Sequence, residues 1–95
     1  MKKHKIFVYG TLLNRRVRMQ VYGDNGVTIR KGVLNGFEKE GLNIIEKEGS
    51  HVEGGIIELN EKELKSVDTY EGLGYLYKKI KVNSKGEKVM AYQLI

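Results

Sequence analysis

Only one stretch of this chain carries a full set of helix signals, and that restricts the fold more than any other feature. Asn60 is suited to cap a helix, Glu63 three residues on completes a capping box, and Leu59 and Leu64 are placed as a hydrophobic staple. Leu64 and Val67 lie one turn apart, with Glu71 one position off the next turn, and Gly72 fits the left-handed position that ends a helix. The spacing predicts a main helix over Asn60–Tyr70. Asn14 and Gly23 frame a second, short helical turn over Arg15–Gln20. The other apolar segments are short and rich in β-branched or aromatic residues: His4–Tyr9, Val27–Phe37, Leu42–Glu46, His51–Leu59, Tyr75–Val82 and Val89–Ile95. Ser84-Lys85-Gly86-Glu87 separates the last two as a hairpin turn. Strand–helix alternation is missing, so a doubly wound fold is excluded. The order predicts an α+β domain with a small, curved, mixed or antiparallel sheet or barrel, one main helix and one short helix.

Within this pattern the glycines ask for explanation. Gly32 and Gly36 read as bulge or turn points, and the Gly54-Gly55 pair as a bulge or a place where another backbone or a ligand comes close. Ninety-five residues without an internal repeat or linker fit one domain, residues 1–95. With 40% hydrophobic residues the chain can build a core without staples. Cysteine is absent, which excludes a disulfide framework, a thiolate metal site and a cysteine nucleophile. His4 and His51 are too isolated for a metal site, so no metal is expected. The longest apolar runs resemble Ile6-Phe7-Val8-Tyr9, far short of a membrane span, and the expected compartment is the cytoplasm.

A net charge of +5 suits a nucleic-acid module, but the lysines are scattered, and those along Lys39–Lys47 and Lys62–Lys65 alternate with glutamate, as a solvated face does. Arg15, Arg16 and Arg18 form a tight cluster of one sign. Nucleic acid is therefore disfavoured as a partner.

Two segments carry the chemistry. Tyr9-Gly10-Thr11-Leu12 ends a strand in a turn whose backbone N–H groups and hydroxyl can cradle an anion, and equally reads as an ordinary strand-to-helix turn. Glu71 sits where the helix dipole disfavours negative charge, with Tyr70, Leu73 and Tyr75 near enough to desolvate it. It reads either as a base working near neutral pH or as a solvated glutamate. Asp68 reads as a carboxylate partner to Glu71, or as a structural group bound to backbone or a lysine. Tyr75 and Tyr77 are expected to share a strand face with Leu73, at least one of them in the core.

These residues resemble the gamma-glutamylcyclotransferase-like superfamily, and most of all its small gamma-glutamylamine cyclotransferase-like proteins. Ile6-Phe7-Val8-Tyr9-Gly10-Thr11-Leu12 is similar to the family's Y-G-T-L loop. Val52-x-Gly54-Gly55-Ile56-Ile57-x-Leu59 resembles its central strand, and Leu64-x-x-Val67-Asp68-x-Tyr70-Glu71-Gly72 its helix end. Tyr75-x-x-x-x-Ile80-x-Val82 with Ala91-Tyr92 resembles its closing hairpin. This chain has Tyr77 where the family often has a basic residue.

The resemblance implies a barrel-like fold with a cavity at one end and Glu71 as the catalytic carboxylate. Tyr9, Gly10, Thr11, Leu12 and Tyr75 would bind the substrate, a small molecule with a gamma-glutamyl group. The implied reaction releases 5-oxoproline and an amine and uses no cofactor. Other readings of the residues are a pocket that only binds a small anionic metabolite, favoured by Arg15, Arg16 and Arg18, and a basic nucleic-acid-binding domain. The sequence leaves the oligomeric state open.

Overall fold

The computed structural model describes residues 3–23 and 29–95. The elements in chain order are β1 (His4–Val8), a 3-10 turn (Thr11–Leu13), α1 (Arg15–Tyr22), β2 (Arg30–Glu40), β3 (Asn43–Leu59), α2 (Glu61–Glu71), β4 (Tyr77–Ser84) and β5 (Glu87–Leu94). Val27 and Thr28, expected to begin the second strand, lie outside the described residues. Five strands form one mixed sheet in the order β2-β3-β1-β5-β4. All neighbours are antiparallel except β1 and β5, which run parallel with Ile6 opposite Met90 and Phe7 opposite Ala91.

The central position of β1 explains its unbroken apolar run, because a strand covered on both faces has no side to leave polar. Ile6 and Val8 pack with Ile57, Leu59, Leu64 and Val67 under the helices. Phe7 and Tyr9 point the other way, into a core with Leu34, Ile44, Val52, Ile56 and Ala91 enclosed by the curl of the sheet.

The sheet curls without closing, and side chains join what backbone pairing leaves apart. The buried Ser84 hydroxyl donates to the Val33 carbonyl at 2.8 Å and accepts from the Val33 amide at 3.2 Å, tying edge strand β4 to edge strand β2. At the far end of β2 and β3 the connecting turn is held by Tyr77, whose hydroxyl donates to the Leu42 carbonyl at 2.6 Å. Gln93 Nε2 donates to the Ile44 carbonyl at 2.9 Å, and the Leu94 amide to Asn43 Oδ1 at 2.9 Å.

Three local expectations need correction. Leu42–Glu46 and His51–Leu59 belong to one strand, β3. The register with β2 jumps from Asn35–His51 to Phe37–Glu46, so residues 47–50 bulge out while pairing resumes on both sides. Gly32 and Gly54-Gly55 are not bulges, because pairing runs unbroken through Arg30–Ile56, Gly32–Gly54 and Asn35–His51. At Gly54 the other reading of the pair, a close backbone approach, holds: a Cβ there would overlap the Val8 carbonyl oxygen and press on the Phe7 ring. Finally, Tyr75 and Leu73 precede β4, so only Tyr77 of that expected strand face belongs to the strand.

Helix α2 forms as its signals require. Asn60 Oδ1 accepts from the Glu63 amide at 2.8 Å, Glu63 Oε1 accepts from the Asn60 amide at 2.9 Å, and Gly72 ends the helix at φ 71°. In α1, Asn14 Oδ1 accepts from the Arg16 amide at 2.8 Å. The turn after β4 is a tight one, with Lys85 and Gly86 both at positive φ (51° and 81°), the pattern that matches the twist of a hairpin.

Candidate functional site

One end of the sheet holds a cavity of about 210 Å³. Its floor is the segment from Phe7 to Leu12, where β1 runs out into the 3-10 turn. Thr11 and Leu12 stand at the start of that turn, so the turn itself supplies no acceptor for their amides. A Cβ on Gly10 would meet no heavy atom within 4 Å, so the backbone there is open to an approaching group.

Glu71, the last residue of α2, lines the same cavity. Burial raises its pKa above the ordinary carboxylate range. Its charge in turn helps to push up the phenol pKa values of Tyr9, Tyr77 and Tyr92, which line the same cavity. Those phenols stay neutral and are spoken for. Tyr9 donates to the Tyr92 carbonyl, Tyr92 to the Asp68 carboxylate, and Tyr77 to the Leu42 carbonyl. The Tyr70 hydroxyl shares a 2.7 Å hydrogen bond with Thr11 Oγ1. Among the described residues, no hydrogen bond or ion pair reaches the Glu71 carboxylate.

Asp68, one turn back on α2, has the structural role. It binds Lys79 Nζ at 3.1 Å as well as the Tyr92 hydroxyl, fixing the end of α2 to the β4–β5 hairpin and so setting where Glu71 stands.

The structure brings Tyr9, Gly10, Thr11, Leu12 and Glu71 together on one cavity, though they lie some sixty residues apart in sequence. It does not bring Tyr75, which is 75% exposed in the loop before β4 and outside the lining. Tyr77 stands on the wall instead, edge-on to Tyr92 with ring centres 6.5 Å apart. The sequence reading also passed over Leu42, Tyr70, Leu76 and Tyr92 as lining residues. Tyr92 carried a signal in the Ala91-Tyr92 pair of the closing hairpin. Leu42 and Leu76 lie in turns, where no periodicity marks a face.

The arginine cluster does not act as a unit at this site. Arg18 is 4% exposed and donates to the Leu12 and Leu13 carbonyls at 3.0 Å each, bracing the turn from behind. Arg15 and Arg16 are exposed on α1, and none of the three lines the cavity. Among the described residues no group of three or more His, Cys, Asp or Glu side chains comes together around a metal-sized space. No helix among them is long and apolar enough to cross a membrane.

The chain belongs to the gamma-glutamyl cyclotransferase, AIG2-like family, whose profile matches residues 6–94. Two solution structures from Arabidopsis thaliana are similar throughout. One is 25% identical with a TM-score of 0.80, over 99% of this chain and 63% of its own. The other is 26% identical with a TM-score of 0.81, over 100% of this chain and 70% of its own. An AIG2-like protein from Mus musculus shares the fold at 21% identity and a TM-score of 0.73, over 98% of this chain and 78% of its own. The chain thus spans about two thirds of the length of the plant proteins it matches. A search of curated proteins found no match.

Proposed function

We propose that this protein is a gamma-glutamylcyclotransferase that releases 5-oxoproline and a free amine from a gamma-glutamyl amide, with Glu71 as the general acid–base. The observation that carries the reading is the Glu71 carboxylate. It is half-buried, raised in pKa, and without a donor or cation among the described residues, in a cavity whose phenols are all engaged elsewhere. A carboxylate left uncompensated in such a place favours a ligand that brings its own positive charge, as the α-ammonium of a gamma-glutamyl group does.

The reaction needs little else. Glu71 takes a proton from the substrate α-ammonium, and the freed amine attacks the γ-carbonyl carbon, closing a five-membered ring. Because nucleophile and electrophile belong to one molecule, the site has only to hold the chain folded for closure. The tetrahedral oxyanion collapses as the bond from carbon to the leaving nitrogen breaks. Glu71 gives its proton to that nitrogen, then takes the second proton that the ring nitrogen sheds on becoming the lactam N–H and passes it to the departing amine, which leaves as its ammonium. The backbone N–H groups of the Gly10–Leu12 segment are suited to hold the anionic parts of the substrate, its α-carboxylate or the developing oxyanion. No metal or nucleotide enters any of these steps.

The test is direct. The protein is incubated with a panel of gamma-glutamyl amides, 5-oxoproline is measured, and Glu71→Gln is run beside it. Release by the wild type and its loss in the variant support the reading. A wild type that turns over no member, while a small anion raises its melting temperature, would instead mark a binding pocket.

A further inference from the structure

The cavity has a charged side and an apolar rim, and the rim is unusual. Leu42 and Leu76 both line it, yet are 67% and 54% exposed. They come from separate turns, and both turns are held. The Tyr77 hydroxyl fixes the Leu42 carbonyl at 2.6 Å, and the Ile95 amide donates to the Leu76 carbonyl at 3.0 Å. Two large apolar side chains are thus kept at the mouth of a cavity with more than half of each left exposed, which sets them apart from leucines that are merely left on a surface. Tyr77 lines the same cavity and reaches the Leu42 turn through its hydroxyl.

Among the described residues the lining also contains no lysine, arginine or histidine; its ionisable groups there are Glu71 and tyrosines. At about 210 Å³ the enclosed space falls short of the roughly 300–1,000 Å³ that ordinary small-molecule pockets offer. A gamma-glutamyl group therefore takes the enclosed part, and whatever is attached to its γ-nitrogen lies across the rim.

On this arrangement, and resting on the cyclotransferase reading above, we infer that Leu42, Leu76 and Tyr77 form a leaving-group subsite for an apolar or aromatic primary amine. A leaving group with a free carboxylate meets no cation there. It would stand instead near the Glu71 charge and against leucine side chains, where losing its water is not repaid. An alkyl or aryl group covers the two leucines and gains from doing so. The subsite thus sorts substrates by the charge of the departing amine, separately from recognition of the gamma-glutamyl end.

The experiment compares γ-glutamyl-benzylamide with γ-glutamyl-glycine, two amides that differ in the rim-facing part. The wild type is expected to show a kcat/KM at least about tenfold higher for the benzylamide, the scale on which one apolar group discriminates. Leu42→Arg, at an exposed turn position, and Leu76→Arg as a second variant should each lower that ratio about tenfold or more. Calorimetry on Glu71→Gln should show the benzylamide binding more tightly than the glycine compound, without chemistry intervening. A wild type that prefers γ-glutamyl-glycine, or treats the two alike, overturns the apolar subsite and leaves the cyclotransferase reading standing. A ratio unmoved by both arginine variants also overturns it. No 5-oxoproline from either compound, or from the wider panel, overturns both.

Discussion

Glu71 and Glu87 stand at opposite ends of the β4–β5 hairpin and show what the surroundings of a carboxylate decide. Glu87 begins β5 on the surface, with Lys5 Nζ at 2.6 Å and the Arg30 guanidinium at 3.2 Å. Hydrogen bonds from those two cations lower its pKa. Glu71 has neither cation nor donor among the described residues, and burial raises its pKa. The compensated carboxylate works for the fold, helping Ser84 join β4–β5 to β2. The uncompensated one carries the cost of its burial, and on the proposed function the substrate ammonium is what balances it.

The largest effect should come from breaking this contrast at Glu71. Glu71→Gln is expected to lower 5-oxoproline release by about 100-fold or more, the usual contribution of a positioned acid–base group. Its melting temperature at pH 7 should hold or rise. A raised folded pKa means that the charged form costs the fold stability at neutral pH. That cost disappears as the pH falls below the folded pKa, and glutamine removes it at every pH. For the same reason the acid limb of kcat/KM should lie above about 4.3, the ordinary glutamate value, because Glu71 must be ionised to take the proton. A limb at the ordinary value would show that burial does not govern this group in the working enzyme.

Asp68→Asn should come next. Asparagine leaves Lys79 without its counter-ion and weakens the bond to the Tyr92 hydroxyl, costing about 2 kcal/mol in urea unfolding. It should also lower kcat more than it raises KM, since Glu71 loses the bracing of its helix. Ser84→Ala should cost about 1–2 kcal/mol, because the Val33 amide and carbonyl lose a shared partner. It should leave kcat within about twofold, which separates stitching from chemistry.

Glu87→Gln should have the smallest effect. A lowered folded pKa adds stability above the unfolded pKa that is lost as the pH falls through the folded value. On an exposed pair that contribution is small and fades with salt, so melting curves at low and high ionic strength should converge. If Glu87→Gln destabilised the protein as much as Asp68→Asn, the two ends of the hairpin would not differ as described.

Features encoded by neighbours in sequence were legible; those set by distant partners were not. Helix α2 was readable because Asn60, Glu63 and Gly72 satisfy its ends from within. The Lys85-Gly86 turn was readable for the same local reason. Strand β3 was read as two pieces because Lys47, Glu48, Gly49 and Ser50 look like a loop, and only pairing with β2 on either side makes it one strand. Arg18 looked like a third surface cation until the fold gave it two carbonyls to hold. At the site, motif resemblance singled out Glu71 and the Tyr9–Leu12 loop, and the structure places them on one cavity. The same motif led to Tyr75, but the Gly72 and Gly74 turns carry the chain past it and deliver Tyr77 to the wall.

The place of β1 in the sheet has a consequence for how the protein is made. Its partners are β3, ending at Leu59, and β5, reached only at Met90 and Ala91. During synthesis, Ile6-Phe7-Val8 therefore waits with at least one edge unpaired until the last strand is available. At about 5–20 residues per second, the roughly 85 residues between them take some 4–17 seconds to add. For that interval the most apolar strand of the molecule offers an open backbone edge, the kind of edge that pairs with a neighbouring chain when its own partner is late.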